Sequence, residues 1–124
     1  MMHPRATMLH SRPVKSACVA LLMLSCVGCA SQAEKDAYND FLVSIAEGCK
    51  PLIIGSNNIG QALQFNGVGG ASPDDYNAFL GTTKALYYGN IPPTVYRTSL
   101  TATLGAGTYN DRSFDCIFAH LPKK

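Results

Sequence analysis

An uncharged apolar block, Ala17 to Val27, limits what this chain can fold into, because it divides the sequence before any fold is considered. Arg5, Arg12 and Lys15 precede it with no acid among them, and Gly28-Cys29-Ala30-Ser31 follows. A block of about eleven residues has the length of a signal-peptide core and is too short for a helix to span a bilayer. Removing everything through Gly28 leaves residues 29–124, one small domain near the lower limit of what folds unaided. The run from Met1 to Ser16 is long for the segment that precedes a signal core, so Met8 is an alternative start.

The end of the block, Leu24-Ser25-Cys26-Val27-Gly28-Cys29, resembles the lipobox of bacterial lipoproteins. In that family a small residue precedes a cysteine, which is lipidated on sulfur and becomes the first residue of the mature protein. The resemblance covers about the first quarter of the chain. With Cys29 as acceptor, Val27 and Gly28 fit the pattern and Cys26 stands where leucine is usual. With Cys26 as acceptor, Ser25 fits while Leu24 and Met23 depart from it. Cys29 is the assignment and Cys26 the alternative. An ordinary secretory signal cut after Gly28 or Ala30, or an uncleaved apolar anchor, would leave no lipid. The resemblance implies a diacylglyceryl group and an N-acyl chain on Cys29, and more than one chain anchors stably where a single chain does not. Ala30, rather than aspartate, follows the cysteine. In Gram-negative lipoproteins that implies transport to the outer membrane, facing the periplasm, with the inner membrane as the lesser alternative.

Charge and cysteine usage then bound the remainder. The formal charge of +2 includes three signal cations, whereas all eight acids lie after the signal. Residues 29–124 carry Lys35, Lys50, Lys84, Arg97, Arg112, Lys123 and Lys124 against those acids, so no basic footprint for nucleic acid remains. Of five cysteines, Cys18 and Cys26 leave with the signal and Cys29 takes the lipid. Cys49 and Cys116 are left as a pair in an oxidising compartment, and a disulfide between them is expected. Closing that loop stabilises the fold by about 4.4 kcal/mol in the chain-entropy description, comparable to the whole net stability of a small domain.

Along the chain the apolar spacing is helical. Ser31 with Glu34 forms a capping box, and Ala37, Phe41, Ile45 and Cys49 make one stripe with Tyr38 and Leu42 beside it. Gly48 and Pro51 stop this helix, which is expected from about Gln32 to Glu47. Leu52-Ile53-Ile54 is a brief apolar run ending at Gly55, and Ser56 or Asn57 can cap a short helix through Ile59, Ala62, Leu63 and Phe65. A glycine-rich loop, Asn66 to Ala71, follows. Ser72-Pro73-Asp74-Asp75 opens a third helix with a serine cap, proline at the first position and two acids facing the dipole. Tyr76, Phe79, Leu80, Thr83 and Tyr87 line its face as far as Gly89-Asn90. Pro92-Pro93 restarts the chain into a threonine-rich and therefore intrinsically weak helix with Val95, Tyr96, Ser99, Leu100 and Leu104. In the last segment Phe114, Ile117, Phe118 and Leu121 fit a helix, whereas Phe114, Cys116 and Phe118 fit a strand. With Asn110 or Asp111 as cap, the helix is chosen. The expectation is an all-α domain over 32–124, with four to five short helices stapled by one disulfide. It follows a signal peptide (1–28) and a lipidated tether (29–31).

No residue set names a reaction. His120 is the only histidine after the signal and lies near a lysine-capped terminus, where it reads as a surface or partly packed side chain. Common zinc sites want three or four nitrogen or sulfur ligands, and Asp74-Asp75 lacks the EF-hand spacing, so no metal or other cofactor is expected. A serine triad lacks its Gly-x-Ser-x-Gly elbow. Paired carboxylates would have to come from Glu34, Glu47, Asp36, Asp40, Asp111 or Asp115, of which Asp36 and Asp40 read as a solvated face. Gly67-Val68-Gly69-Gly70 lacks the lysine of a phosphate loop and reads as a linker. The adjacent Tyr87 and Tyr88 point about 100° apart on a helix, so one faces the core and the other can serve as a contact residue.

The sequence thus leads to a non-catalytic, outer-membrane-anchored lipoprotein acting as an adaptor, assembly factor or inhibitor. Its partners would be the bilayer, through Cys29, and an envelope protein of unknown identity. A small periplasmic enzyme acting on peptidoglycan or lipid is one alternative, marked by a pocket gathering Glu47 or an aspartate with His120. A phage- or plasmid-type exclusion lipoprotein is another.

Overall fold

The computed structural model describes residues 32–123. The expected signal peptide, Cys26, Cys29 and the expected cap at Ser31 lie outside them. Residues 32–36 belong to a separate N-terminal unit and form a turn of helix in which the Gln32 amide donates to the Asp36 carboxylate at 3.1 Å. Everything from Ala37 onward is one compact all-α unit with a minimal β-hairpin and one disulfide.

The first helix, α1, runs over 32–48, one residue beyond the expected stop. Phe41, Ile45, Ala46 and Cys49 are buried on its inner face, whereas Ala37, placed on that stripe by spacing, is exposed. Next come β1 (Ile53–Ile54) and β2 (Asn57–Asn58), paired antiparallel with Ile53 opposite Asn58 and Ile54 opposite Asn57. Gly55 holds φ at +62° in the first position of the two-residue turn, which suits the type II′ turns favoured in hairpins. A side chain there would also run into the Leu104 carbonyl.

Helix α2 (Ile59–Gln64) is capped by Asn58, whose carboxamide oxygen accepts from the Gln61 amide, and not by Ser56 or Asn57. Those two residues are used by the hairpin. Asn57 is buried and donates from Nδ2 to the carbonyls of Ile54 and Leu104. Helix α3 (Pro73–Tyr87) begins as the sequence prescribes: the Ser72 hydroxyl accepts from the Asp75 amide, Pro73 opens the first turn, and Asp74 and Asp75 face the dipole. Helix α4 (Pro93–Leu104) buries Tyr96, Leu100 and Leu104 and leaves Val95 exposed.

The ambiguous last segment is a helix, α5 (Asn110–Ala119). Its cap position is Tyr109, with no side-chain cap, because Asn110 is engaged elsewhere. The Asn110 carboxamide accepts from the Gly55 amide at 2.8 Å and donates to the Gly105 carbonyl at 3.0 Å.

The core is formed by Phe41, Ile45, Leu52, Ile54, Ile59, Phe79, Tyr96, Leu100, Phe114 and Ile117, with Leu86 and Leu104 at its margin. Inside it the Tyr96 and Thr83 hydroxyls share a 2.8 Å hydrogen bond, which satisfies both groups where water cannot reach.

One face of α5 is fastened residue by residue to the segment leaving α1. Asn110 holds Gly55, and the Ser113 hydroxyl accepts from the Ile53 amide at 3.1 Å while donating to the Ile53 carbonyl at 2.7 Å. Cys116 is bonded to Cys49. As residue numbers rise along the helix, partner numbers fall, so the two segments run antiparallel.

Candidate functional site

Two groupings of chemically distinctive side chains stand out. The first forms where α1 ends against the last turn of α5. The Cys49–Cys116 disulfide closes a separation of 67 residues, as the cysteine arithmetic requires. His120 sits over it, with Nδ1 at 3.6 Å from the Cys49 sulfur, 3.8 Å from the Cys116 sulfur and 2.9 Å from the Cys116 carbonyl oxygen. Gly48 admits the ring, because a Cβ there would lie 2.7 Å from Nε2. Cys49 is buried, whereas Cys116 is half-buried. The sequence reads His120 as a surface or partly packed side chain, and the structure packs it partly, against two sulfurs. The sequence signal for that contact is the spacing of Cys116 and His120, four apart and therefore one helical turn.

The second grouping is aromatic and joins α1 to the end of α3. Tyr87 packs on Tyr38 and Phe41 with ring centroids 5.2 and 5.1 Å away, and Tyr88 lies on Tyr38 and Tyr87 at 5.9 and 5.0 Å. Tyr87 is half-buried, whereas Tyr88 keeps 36% of its surface open to solvent. Tyr87 thus packs against the core and Tyr88 is the exposed member, as their angle on a helix requires, and the two rings also touch each other. The Tyr38 hydroxyl donates to the Leu80 carbonyl at 3.2 Å. Burial pushes the Tyr38 phenol up to about 12, with the neighbouring Tyr88 and Tyr76 adding to the effect. Burial likewise raises Tyr96 and Tyr76, the Thr83 hydrogen bond opposing it at Tyr96.

The other candidates fall apart from these two. Asp111 and Asp115 accept from the two terminal nitrogens of Arg97 at 2.8 and 3.0 Å, so both act as partners to one cation. Asp74 and Asp75 occupy the first turn of α3. Glu47 lines a groove of about 630 Å³ between α1, α2 and α3, with Asn39, Leu42, Val43, Tyr76 and Leu80 among its other walls; His120 is not part of that lining. In the glycine-rich loop the Gly67 amide donates to the Ala62 carbonyl and the Gly70 carbonyl accepts from the Asn58 amide, which ties the loop to α2 and the hairpin. No helix among the described residues is long and apolar enough to cross a membrane.

Compared with protein-family models, with curated proteins and with solved structures, the chain matches none.

Proposed function

We propose that the protein is an envelope lipoprotein, held in the outer membrane by acyl chains on Cys29, whose helical domain binds another envelope protein without catalysing a reaction. The observation that carries this reading is the apolar block Ala17–Val27 ending in Gly28-Cys29, with Ala30 next. The Cys49–Cys116 disulfide supports it, because such bonds persist in oxidising compartments and are rare in the cytosol. The half-open Tyr88, backed by Tyr38 and Tyr87, supplies an anchor of the kind that contributes most at protein interfaces: a rigid aromatic with an apolar body and a polar tip.

Two experiments test the proposal separately. Metabolic palmitate labelling of wild type, Cys29→Ala and Cys26→Ala tests the anchor. Label should vanish only with Cys29→Ala, and label that survives it but is lost in Cys26→Ala would move the site. A photoreactive residue at Tyr88 in intact cells, followed by identification of the captured protein, tests the surface. Once a partner is in hand, Tyr88→Ala should weaken binding by about 1–3 kcal/mol while leaving the melting temperature near its wild-type value. Unchanged affinity with a melting temperature lowered by several degrees would make Tyr88 a packing residue and put the contact elsewhere.

A further inference from the structure

We infer that the reduced form of the Cys49, Cys116 and His120 cluster is a binding site for a thiophilic d¹⁰ cation, zinc(II) or copper(I), with two thiolates and one imidazole as ligands. The disulfide and the metal site would then be alternative states of the same three side chains.

The argument is geometric. Metal–sulfur bonds of about 2.3 Å and metal–nitrogen bonds of about 2.0–2.1 Å at tetrahedral angles place sulfur and nitrogen roughly 3.5 Å apart. His120 Nδ1 already lies 3.6 and 3.8 Å from the two sulfurs. Two edges of the ligand triangle therefore have the length a bound cation needs, and only the third, where the sulfurs are bonded to each other, has to open. That opening requires little rearrangement of the backbone, because Cys116 and His120 belong to one turn at the end of α5 and Cys49 follows α1 directly. Gly48 keeps the space that the imidazole occupies. Thiolate and imidazole donors select zinc and copper(I) over magnesium or calcium, which prefer oxygen. Three protein ligands leave one position for water on zinc, the arrangement of open zinc sites.

The conversion needs a reductant, and a protein dithiol of the thioredoxin type supplies it. Its thiolate attacks the half-buried Cys116 sulfur rather than the buried Cys49 sulfur, forming a mixed disulfide and releasing Cys49 as thiolate. The second thiol of the reductant resolves the mixed disulfide. Two electrons and two protons pass to Cys49 and Cys116, and the reductant leaves as a disulfide. Cation binding then displaces the two thiol protons. To bind the cation, Nδ1 exchanges its contact with the Cys116 carbonyl for the metal, and the ring proton is carried on Nε2.

The test uses the full chain in detergent with Cys18, Cys26 and Cys29 replaced by serine, so that only two thiols remain and the outcome does not depend on lipidation. The chain is reduced with a phosphine under anaerobic conditions and titrated in two arms, zinc(II) and copper(I), each against a chromophoric chelator. The reduced chain should take up one equivalent and the oxidised chain none, and the arm with the tighter binding names the metal. X-ray absorption should show two sulfur neighbours and at least one nitrogen. His120→Ala should weaken binding more than about ten-fold and remove the nitrogen neighbour attributed to imidazole. Helical circular dichroism is followed throughout. A reduced chain that loses helix and regains it with metal supports the site, and one that stays unfolded with metal overturns it. No uptake beyond that of the oxidised chain, or affinity unchanged by His120→Ala, also overturns it.

Discussion

The two ends of α5 are fastened to the same stretch of chain by different physics. At the C-terminal end, Cys116 is covalently joined to Cys49 and His120 lies over the bond. At the N-terminal end, Asn110 and Ser113 hold Gly55 and Ile53 by hydrogen bonds. The disulfide acts largely on the unfolded chain, whose freedom it removes whatever surrounds it. The hydrogen bonds act only in the folded state, and their worth lies in what would be left unpaired without them. One end constrains the alternatives to the fold; the other specifies the fold itself.

Removing the covalent end should have the largest effect. The double variant Cys49→Ser/Cys116→Ser is expected to lose about 4 kcal/mol of unfolding free energy, read from the midpoint and slope of a urea transition. A loss below about 1 kcal/mol would mean that the reduced ensemble is already compact and that the hydrogen-bonded end carries the junction.

Asn110→Ala probes the opposite end. It strips the partner from the Gly55 amide and the Gly105 carbonyl at a residue that is only 6% exposed. The expected cost is about 1–3 kcal/mol in the same assay, with the slope unchanged. Ser113→Ala, in contact with the same hairpin, should be less than additive with it, because either change already loosens β1.

This contrast also explains what was legible beforehand. A disulfide needs only a count of thiols and a compartment, so Cys49 with Cys116 could be paired from the sequence. Helices α3 and α4 begin at prolines with local causes, Ser72-Pro73 and Pro92-Pro93, and local causes are readable. The hairpin was missed because its stability is not local. Two strands of two residues each have almost no propensity of their own, and they persist because Asn110 and Ser113 reach the hairpin from 55 and 60 residues away while Asn57, within β2, reaches out to Leu104. The same remoteness misplaced two caps. Asn110 looked like a helix cap because asparagine often is one, yet its carboxamide turns to Gly55 instead. In the candidate site, Tyr87 and Tyr88 were visible as a pair. Tyr38, which holds them together, gave no sign in sequence of lying beneath both. His120 was visible as a residue and not as a neighbour of two sulfurs.

Gly48→Ala sharpens the comparison at the covalent end, because its sign depends on His120. Alanine in a helix is favoured over glycine by roughly 0.5–1 kcal/mol, but the new methyl would meet Nε2 at 2.7 Å. In wild type the displaced ring should cancel or reverse the gain, for a net loss of about 1 kcal/mol or less. In a His120→Ala background the same change should stabilise by about 0.5–1 kcal/mol. A double-mutant cycle reads the difference directly. Equal effects in both backgrounds would show that the ring moves aside freely and that His120 is not held over the disulfide.

The smallest single contribution is expected between the two ends, in the ion pairs of Arg97. Its guanidinium bonds to Asp111 and Asp115 and also lies over the rings of Phe114 and Phe118, 5.2 and 5.6 Å from their centroids. The aspartates are 92% and 72% exposed in their side chains, so solvent screens the ion pairs, and each is worth a few tenths of a kcal/mol up to about 1. The stacking is less sensitive to salt, because part of it is contact between the guanidinium plane and apolar rings. Arg97→Ala should therefore cost about 1 kcal/mol, whereas Asp111→Asn and Asp115→Asn together should cost less and lose their effect in about 0.5 M salt. If the two aspartate changes cost as much as removing Arg97, and salt abolishes both, the arginine is held by charge alone. Packing between the middle of α5 and α4 would then rest on Tyr96, whose ring meets Phe114 and Phe118, and not on the guanidinium.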